Sequence, residues 1–312
     1  MNLIERAAEK IQNQQVESDA KSIDSQDTPL PDNEHGGRQG SILDQIGEQI
    51  LNGADGVQST STGTADIGAT VEVDLGKASE VGLYPPASIR GLVESEHRRV
   101  KRPLLARLTG RGANLAEFGE RIMVTSALEN EGKTFTAFNL ALSLAQERDW
   151  EVILIDCDAV RQSLTGFMGM GERTGLLDVL STASIPIKDA LYQTNIPHLL
   201  FIPSGKRVPD APELLSGNRM GQILDLLTQK RNRILLFDSP PLLSAPEPSA
   251  LAEFVGQILF VVKAGSTQRQ AVVDALQLLD KTKAINFVLN QVRTGVGAGY
   301  GRYEYSNYSD NT

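Results

Sequence analysis

From about residue 88 onward, short and mostly apolar runs alternate with stretches whose apolar residues recur every three or four positions. The runs RIMVTS (121–126), EVILID (151–156), HLLFIP (198–203), RILLFD (233–238), QILFVV (257–262) and AINFVLN (284–290) are rich in β-branched and aromatic residues, and their lengths predict strands. Between several of them lie helical patterns, such as TAFNLALSLAQE after Thr134 and QAVVDALQLLDK after Arg269. Strands apolar on both faces, joined by helix-length connections, predict a mostly parallel sheet covered on both sides. The expectation is one doubly wound α/β domain over residues 88–292, followed by a glycine-spaced tail from 293 to 312.

Residues 1–85 have another texture, a mixture of Gln, Ser, Asp, Thr and Gly with the run QSTSTGTADIGAT. So little apolar material does not offset chain entropy, and most of this extension is predicted to be disordered. Two stretches within it carry helical spacing: Leu3, Ala7 and Ile11, then Ile42, Ile46 and Ile50 behind Ser41 with Asp44 three on. They are candidate docking helices. A membrane-surface helix needs a basic polar face, and in the first stretch Glu5, Arg6, Glu9 and Lys10 cancel.

Charge sharpens this division. The formal net charge of the 312 residues is −9, yet residues 1–80 hold 5 Lys+Arg against 15 Asp+Glu and the remainder 25 against 24. A near-neutral folded part argues against a nucleic-acid clamp, which needs clustered basic residues. One cysteine, Cys157, makes no intramolecular disulfide, and His35, His97 and His198 have no zinc-site spacing. The composition suits a reducing compartment. The N-terminus MNLIERAAEK lacks the signature of a signal peptide and no apolar run reaches membrane-spanning length, so a cytoplasmic location is expected.

The chemistry begins at Ala127-Leu128-Glu129-Asn130-Glu131-Gly132-Lys133-Thr134, between a predicted strand and a predicted helix. This is the phosphate-loop pattern GxxxxGK[ST] with Ala127 in place of the first glycine. Gly132 lets the backbone approach phosphates, N–H groups and the helix N-terminus face the negative charge, Lys133 reaches the β and γ phosphates, and the Thr134 hydroxyl ligates Mg²⁺. Ala127, Asn130, Glu131 and Phe135 complete the set of expected nucleotide contacts.

Two strands end in acid: EVILID at Asp156, followed by Cys157 and Asp158, and RILLFD at Asp238, followed by Ser239-Pro240-Pro241. The carboxyl ends of parallel strands are where open α/β sheets bind ligands. A carboxylate there can hold Mg²⁺, and a second can orient or deprotonate a nucleophile. A guanine-reading Asn-Lys-x-Asp motif is missing, since the last strand ends Asn290-Gln291-Val292-Arg293, so ATP is the expected nucleotide, with Asn290 a candidate contact to its base. Cys157, between two aspartates, is expected to keep its thiol protonated and to point away from them.

Four of the six tyrosines, Tyr300, Tyr303, Tyr305 and Tyr308, fall in the closing GYGRYEYSNYSDNT. A flexible glycine-rich tail cannot bury them all, and beside an ATP site their hydroxyls read as phosphoacceptors.

With these features in place the chain resembles the bacterial tyrosine kinases of exopolysaccharide and capsule synthesis, most closely the soluble exosortase-associated tyrosine autokinases. The resemblance rests on IERAAEKIQ near the N-terminus and on ESEHRRVKRPLL, TSALENEGKTFTAFNLA, VILIDCDAVRQSL, GLLDVL, TNIP, IPSGKRVPDAPELL, ILLFDSPPLL, the VVKAG run, VLNQV and the tyrosine cluster. It implies Gly132, Lys133 and Thr134 as the phosphate loop, Asp156 and Asp158 as a second acidic motif serving Mg²⁺ and the incoming tyrosine, and Asp238 as the Walker B carboxylate. A Glu-x-x-Arg-x-x-Arg oligomerisation motif falls on Glu96, Arg99 and Arg102. Asn130 and Gln162 depart from the family pattern, which has glycine and proline there.

The resemblance further implies autophosphorylation of the tail, in trans within a homo-oligomeric ring, a membrane polysaccharide co-polymerase that recruits the chain to the inner membrane, and a cognate tyrosine phosphatase. From Asn290 to Tyr305 the chain extends at most about 50 Å, enough to reach a neighbouring subunit. Two rivals remain. A partitioning or division-site ATPase of the same fold carries a signature lysine where Leu128 stands, and a silent nucleotide-binding scaffold would bind ATP without transferring phosphate.

Overall fold

The computed structural model describes residues 68–110, 116–230 and 232–292. Their strands form one eight-stranded sheet built from β1 (Gly68–Val71), β2 (Arg121–Ser126), β3 (Glu151–Asp156), β4 (Tyr192–Thr194), β5 (Leu199–Ile202), β6 (Arg233–Asp238), β7 (Gln257–Lys263) and β8 (Ala284–Asn290). The order is β1-β4-β5-β3-β6-β2-β7-β8. Strands β5, β3, β6, β2, β7 and β8 are mutually parallel, while β4 pairs antiparallel with β5 and parallel with β1. The six parallel strands are the six read from the sequence. The other two are short, β1 at one edge of the sheet and β4 beside it.

Helices cover both faces: α1 (Leu75–Glu80), α2 (Arg90–Thr109), α3 (Lys133–Ala145), α4 (Ser163–Phe167), α5 (Leu176–Ser181), α6 (Ala211–Ser216), α7 (Asn218–Thr228), α8 (Glu247–Ala252) and α9 (Arg269–Leu276). Alternation along the strands splits the core in two. Met123, Ile153, Ile155, Leu235 and Phe237 face one layer with Ile223 and Leu224 of α7. Ile122, Val124, Val152, Leu154 and Leu236 face the other with Phe138, Leu140 and Leu144 of α3. Helix α3 is buried around most of its circumference because the sheet covers one side and α2 the other. Lys101 of α2 fastens that contact, donating to the Ser143 carbonyl at 2.7 Å and pairing with Glu147 at 2.6 Å.

The folded part starts earlier than the boundary near residue 88 read from the sequence. Val71, Val73, Ala78 and Tyr84 are buried in the α3-side core. Asp74 caps α1 by accepting from the Gly76 and Lys77 N–H groups, and Asn139 of α3 donates to the Leu83 carbonyl at 2.8 Å. Four inward side chains on a short, mostly polar stretch give too sparse a pattern to read as a layer. The proposed N-terminal docking helices and the tyrosine tail lie outside the described residues.

Candidate active site

The loop between β2 and α3 is held by its own side chains. Ser126 donates to the Leu128 carbonyl at 2.7 Å, and the Leu128 N–H donates to Glu131 Oε2 at 2.9 Å. The other oxygen of the buried Glu131 accepts from Thr267, beyond β7, so one carboxylate ties the loop to the neighbouring strand end. Gly132 sits at φ 92°, and a Cβ there would lie 2.0 Å from Asn290 Nδ2; both the backbone conformation and the space demand glycine. Ala127, by contrast, is buried with its carbonyl accepting from Leu243 N–H, and has no positive φ that would call for the glycine of the standard motif. Asn130 takes φ 61°, a left-handed conformation that asparagine tolerates better than most residues, which accounts for its standing where glycine is usual.

Lys133 opens α3 and is largely buried. Burial lowers its pKa, and the negative charges of Asp238 and Asp158 pull it back. Asp238 stands at the end of β6, paired in register with Asp156 at the end of β3. Neither Asp238 oxygen has a hydrogen-bond partner of good geometry. Burial and then the neighbouring Asp156 push its pKa well up, opposed by the Thr134 hydroxyl and Lys133. Asp156 is as deeply buried, but one oxygen accepts from the Thr165 N–H and hydroxyl, both at 2.8 Å, and the other from the Asp158 N–H at 3.1 Å. Its pKa is raised to about 6, burial outweighing those three donors. Cys157 between them is buried, and burial with the three surrounding carboxylates drives its thiol upward, as its position implied.

Asp158 does what Asp156 does not: its side chain lines an open cleft of about 550 Å³ together with Lys133, Thr134 and Arg161. One Asp158 oxygen also accepts from the Val160 and Arg161 N–H groups, fixing the turn. Arg161, to which the sequence pattern assigns no role, reaches back over the loop to Asn130 Oδ1 at 3.2 Å and to Glu129. Gln162 adopts φ 51° and donates its N–H to the Asp158 carbonyl, two things proline cannot do. The sequence signal for Arg161 was its spacing, three residues after Asp158; nothing marked Thr165 or Thr267.

On the opposite side the loop is packed against protein. Asn290 donates to the Glu131 carbonyl at 2.9 Å and accepts from the Gln291 N–H, so both ends of its amide are engaged, the nitrogen in holding the loop. Phe135 lines the cleft and meets the His97 ring edge-on, with centroids 6.2 Å apart. On α2, Glu96, Arg99 and Arg102 are all exposed while His97, Lys101 and Leu104 turn inward, so the charged triplet shares the outer face. The residues fit a nucleotide with a divalent cation: an unpartnered buried carboxylate, a threonine hydroxyl beside it, a lysine, and a 13-residue helix whose N-terminus opens on the loop.

Known proteins agree with this arrangement. A family profile for an AAA domain matches residues 122–291, more than half of the chain. The tyrosine-protein kinase CpsD of Streptococcus agalactiae is 31% identical over 190 residues, covering 60% of this chain and 80% of that protein. The tyrosine-protein kinase YwqD of Bacillus subtilis is 29% identical over 184 residues, covering 58% and 76%. Among solved structures, the kinase domain of VpsO has a TM-score of 0.56 at 26% identity, covering 67% of this chain and 100% of that one. The kinase domain of the Escherichia coli tyrosine kinase ETK has a TM-score of 0.52 at 25% identity, covering 58% and 70%. Among the described residues no helix is long and apolar enough to cross a membrane. With its phosphate loop, its paired strand-end carboxylates and these relatives, the chain belongs to the AAA-domain family and to the bacterial tyrosine-protein kinases.

Proposed function

We propose that this protein is an ATP-dependent protein-tyrosine autokinase whose acceptors are Tyr300, Tyr303, Tyr305 and Tyr308 of its own C-terminal tail. The observation that carries the reading is the convergence of Lys133, Asp158 and the unpartnered Asp238 on one phosphate loop beside an open cleft. Thr134 and Asp238 would hold Mg²⁺, with Asp156 behind them. The cation supplies charge neutralisation at the phosphates. Lys133 and the loop N–H groups stabilise the charge that develops on the transferring phosphoryl group. Asp158 accepts the tyrosine proton, as the carboxylate that lines the cleft with an oxygen to spare. Asp156, with both oxygens engaged, holds the turn that presents Asp158.

The transfer is in trans, within a ring whose contacts include Glu96, Arg99 and Arg102. Each phosphate adds about −1.5 to −2 charges, so a fully modified tail repels its neighbours and loosens the ring. The protein works beside a membrane polysaccharide co-polymerase in exopolysaccharide production, of the exosortase-associated kind, with a phosphatase resetting the tail. These assignments rest on the family resemblance.

Intact-mass measurement after incubation with Mg-ATP tests the core of the reading. Additions of 80 Da per phosphate, about one to four of them, are expected in the parent protein and absent both in Lys133→Ala and in a chain ending at Gly299. A parent that binds ATP and gains no mass, with or without the co-polymerase's cytoplasmic segment, would overturn it.

A further inference from the structure

The cleft beside the phosphate loop has a wall that lies outside the AAA-domain profile. Residues 122–291 match that profile, whereas Lys77, Val81 and Leu83, from the segment after β1, line the cleft together with Phe135, Arg161 and Phe167. The sheet order says which ligand this side serves. The loop follows β2; on its β7 and β8 side it is closed by Thr267, Asn290 and Gln291, and on its β3 side it opens past Asp158 into the cleft. The open side is therefore the one from which a nucleophile meets the carboxylate that takes its proton.

We propose that Lys77 and Val81, on the wall of this acceptor cleft, are specificity-determining residues that read the Tyr303-Glu304-Tyr305 stretch of the tail of a second copy. This rests on the kinase reading above. The shape of the site matches a phenol with an acidic neighbour. Val81, Leu83, Phe135 and Phe167 supply apolar surface of the kind an aromatic ring buries, and Val81 is 58% exposed with no other duty in the core. Lys77 supplies positive charge at the rim, where Arg161 is already paired with Glu129, and Glu304 lies directly between two of the tail tyrosines. Phosphate already placed on one tyrosine adds to the same attraction, which favours successive modification of neighbouring residues.

The attachment of the segment suits the same role. The N–H groups of Gly76 and Lys77 are capped by Asp74, and the Leu83 carbonyl is held by Asn139 of α3, one face of the helix that begins at Lys133. The wall is thereby fixed to the same helix that carries the phosphate-binding lysine, as a site for positioned transfer requires.

The test uses the full-length chain in a form that cannot label itself, with Tyr300, Tyr303, Tyr305 and Tyr308 all changed to Phe, and a synthetic peptide of residues 298–312. Peptide affinity in the presence of Mg-ADP, peptide KM and ATP KM are measured for the parent, Lys77→Glu and Val81→Asp. Lys77→Glu is expected to weaken peptide binding and raise peptide KM about fivefold, the size of one partly exposed ion pair, with ATP KM unchanged. A peptide carrying Glu304→Lys restores affinity to Lys77→Glu and loses it with the parent. Val81→Asp weakens binding of both peptides. Normal transfer with no response to either substitution overturns the wall and leaves the kinase reading standing. The charge-swap pattern in binding, with no transfer by any variant, does the reverse. A shift in ATP KM alone assigns the cleft to the nucleotide and also overturns the proposal.

Discussion

Asp156 and Asp238 occupy equivalent places at the ends of adjacent strands, face each other in register and are equally buried. They differ in what surrounds their oxygens. Asp156 accepts three hydrogen bonds, from Thr165 and from the backbone of Asp158; Asp238 accepts none of good geometry. Desolvation raises both, and the donors bring Asp156 back only to about 6. The contrast separates two uses of a buried carboxylate. One is built into the fold, organising the turn from Asp158 to Thr165. The other is kept unsatisfied in the folded protein, a state that costs stability and makes sense where a cation arrives with the ligand.

The strongest way to break this comparison is to neutralise each acid in turn. Asp238→Asn is expected to lower phosphoryl transfer by on the order of 10³-fold, since a charge needed in the transition state is lost. The same change should stabilise the nucleotide-free protein by about 1–3 kcal/mol, because it removes an unpaired buried charge. Asp156→Asn should destabilise by about 1–3 kcal/mol, because an amide turns an N–H₂ toward groups that are themselves donors. Urea unfolding of the two variants without nucleotide decides the matter. Shifts of opposite sign uphold the distinction, and shifts of the same sign abolish it.

A smaller effect tests whether the loop tolerates Asn130 for the reason given. At φ 61° a β-branched residue is strained where asparagine is not. Asn130→Val should cost about 1–2 kcal/mol, while Asn130→Gly stays within about 0.5 kcal/mol, glycine's freedom in the folded state offsetting its larger unfolded entropy. Equal costs for both variants would place the sensitivity in the Asn130 side chain and its contact with Arg161 instead.

These residues also mark how far sequence carries. The six parallel strands were legible because a strand buried on both faces is an apolar run, and the phosphate loop because its chemistry needs consecutive residues. The short strands β1 and β4, at four and three residues, bury too little to leave a pattern. The strand-end acids were visible as a class, but which is satisfied and which is not depends on Thr165 and Thr134, neighbours set by tertiary folding. Asn290 illustrates the same limit: its place at a strand end suggests a contact with the base, and only the folded structure shows that its amide also bonds the loop carbonyl and Gln291. The cleft wall from Lys77 to Leu83 was hidden for another reason, since its polar composition reads as part of the extension before it.

His97 offers the mildest case of the same competition between burial and partners. Burial lowers its pKa, and the hydrogen bond to the Val93 carbonyl at 2.9 Å and the charge of Glu96 only partly compensate. Tyr84 and Glu94 flank it in a small cavity, and the Phe135 ring lies against it from α3. The folded protein thus binds this proton less readily than the unfolded chain, whose histidine titrates near 6.5. Stability from this residue is fully present above that value and is lost as pH falls below it toward the native pKa, since the unfolded state then takes up the proton first. His97→Gln keeps an N–H donor and removes the titration. The fall in the urea midpoint between pH 7 and about 5.5 should therefore be shallower in the variant than in the parent. Parallel curves would show that the acid sensitivity of this region comes from another group. A shallower curve would place His97, between the exposed Glu96, Arg99 and Arg102 and the phosphate-loop helix, among the buried groups whose desolvation sets how the fold responds to pH.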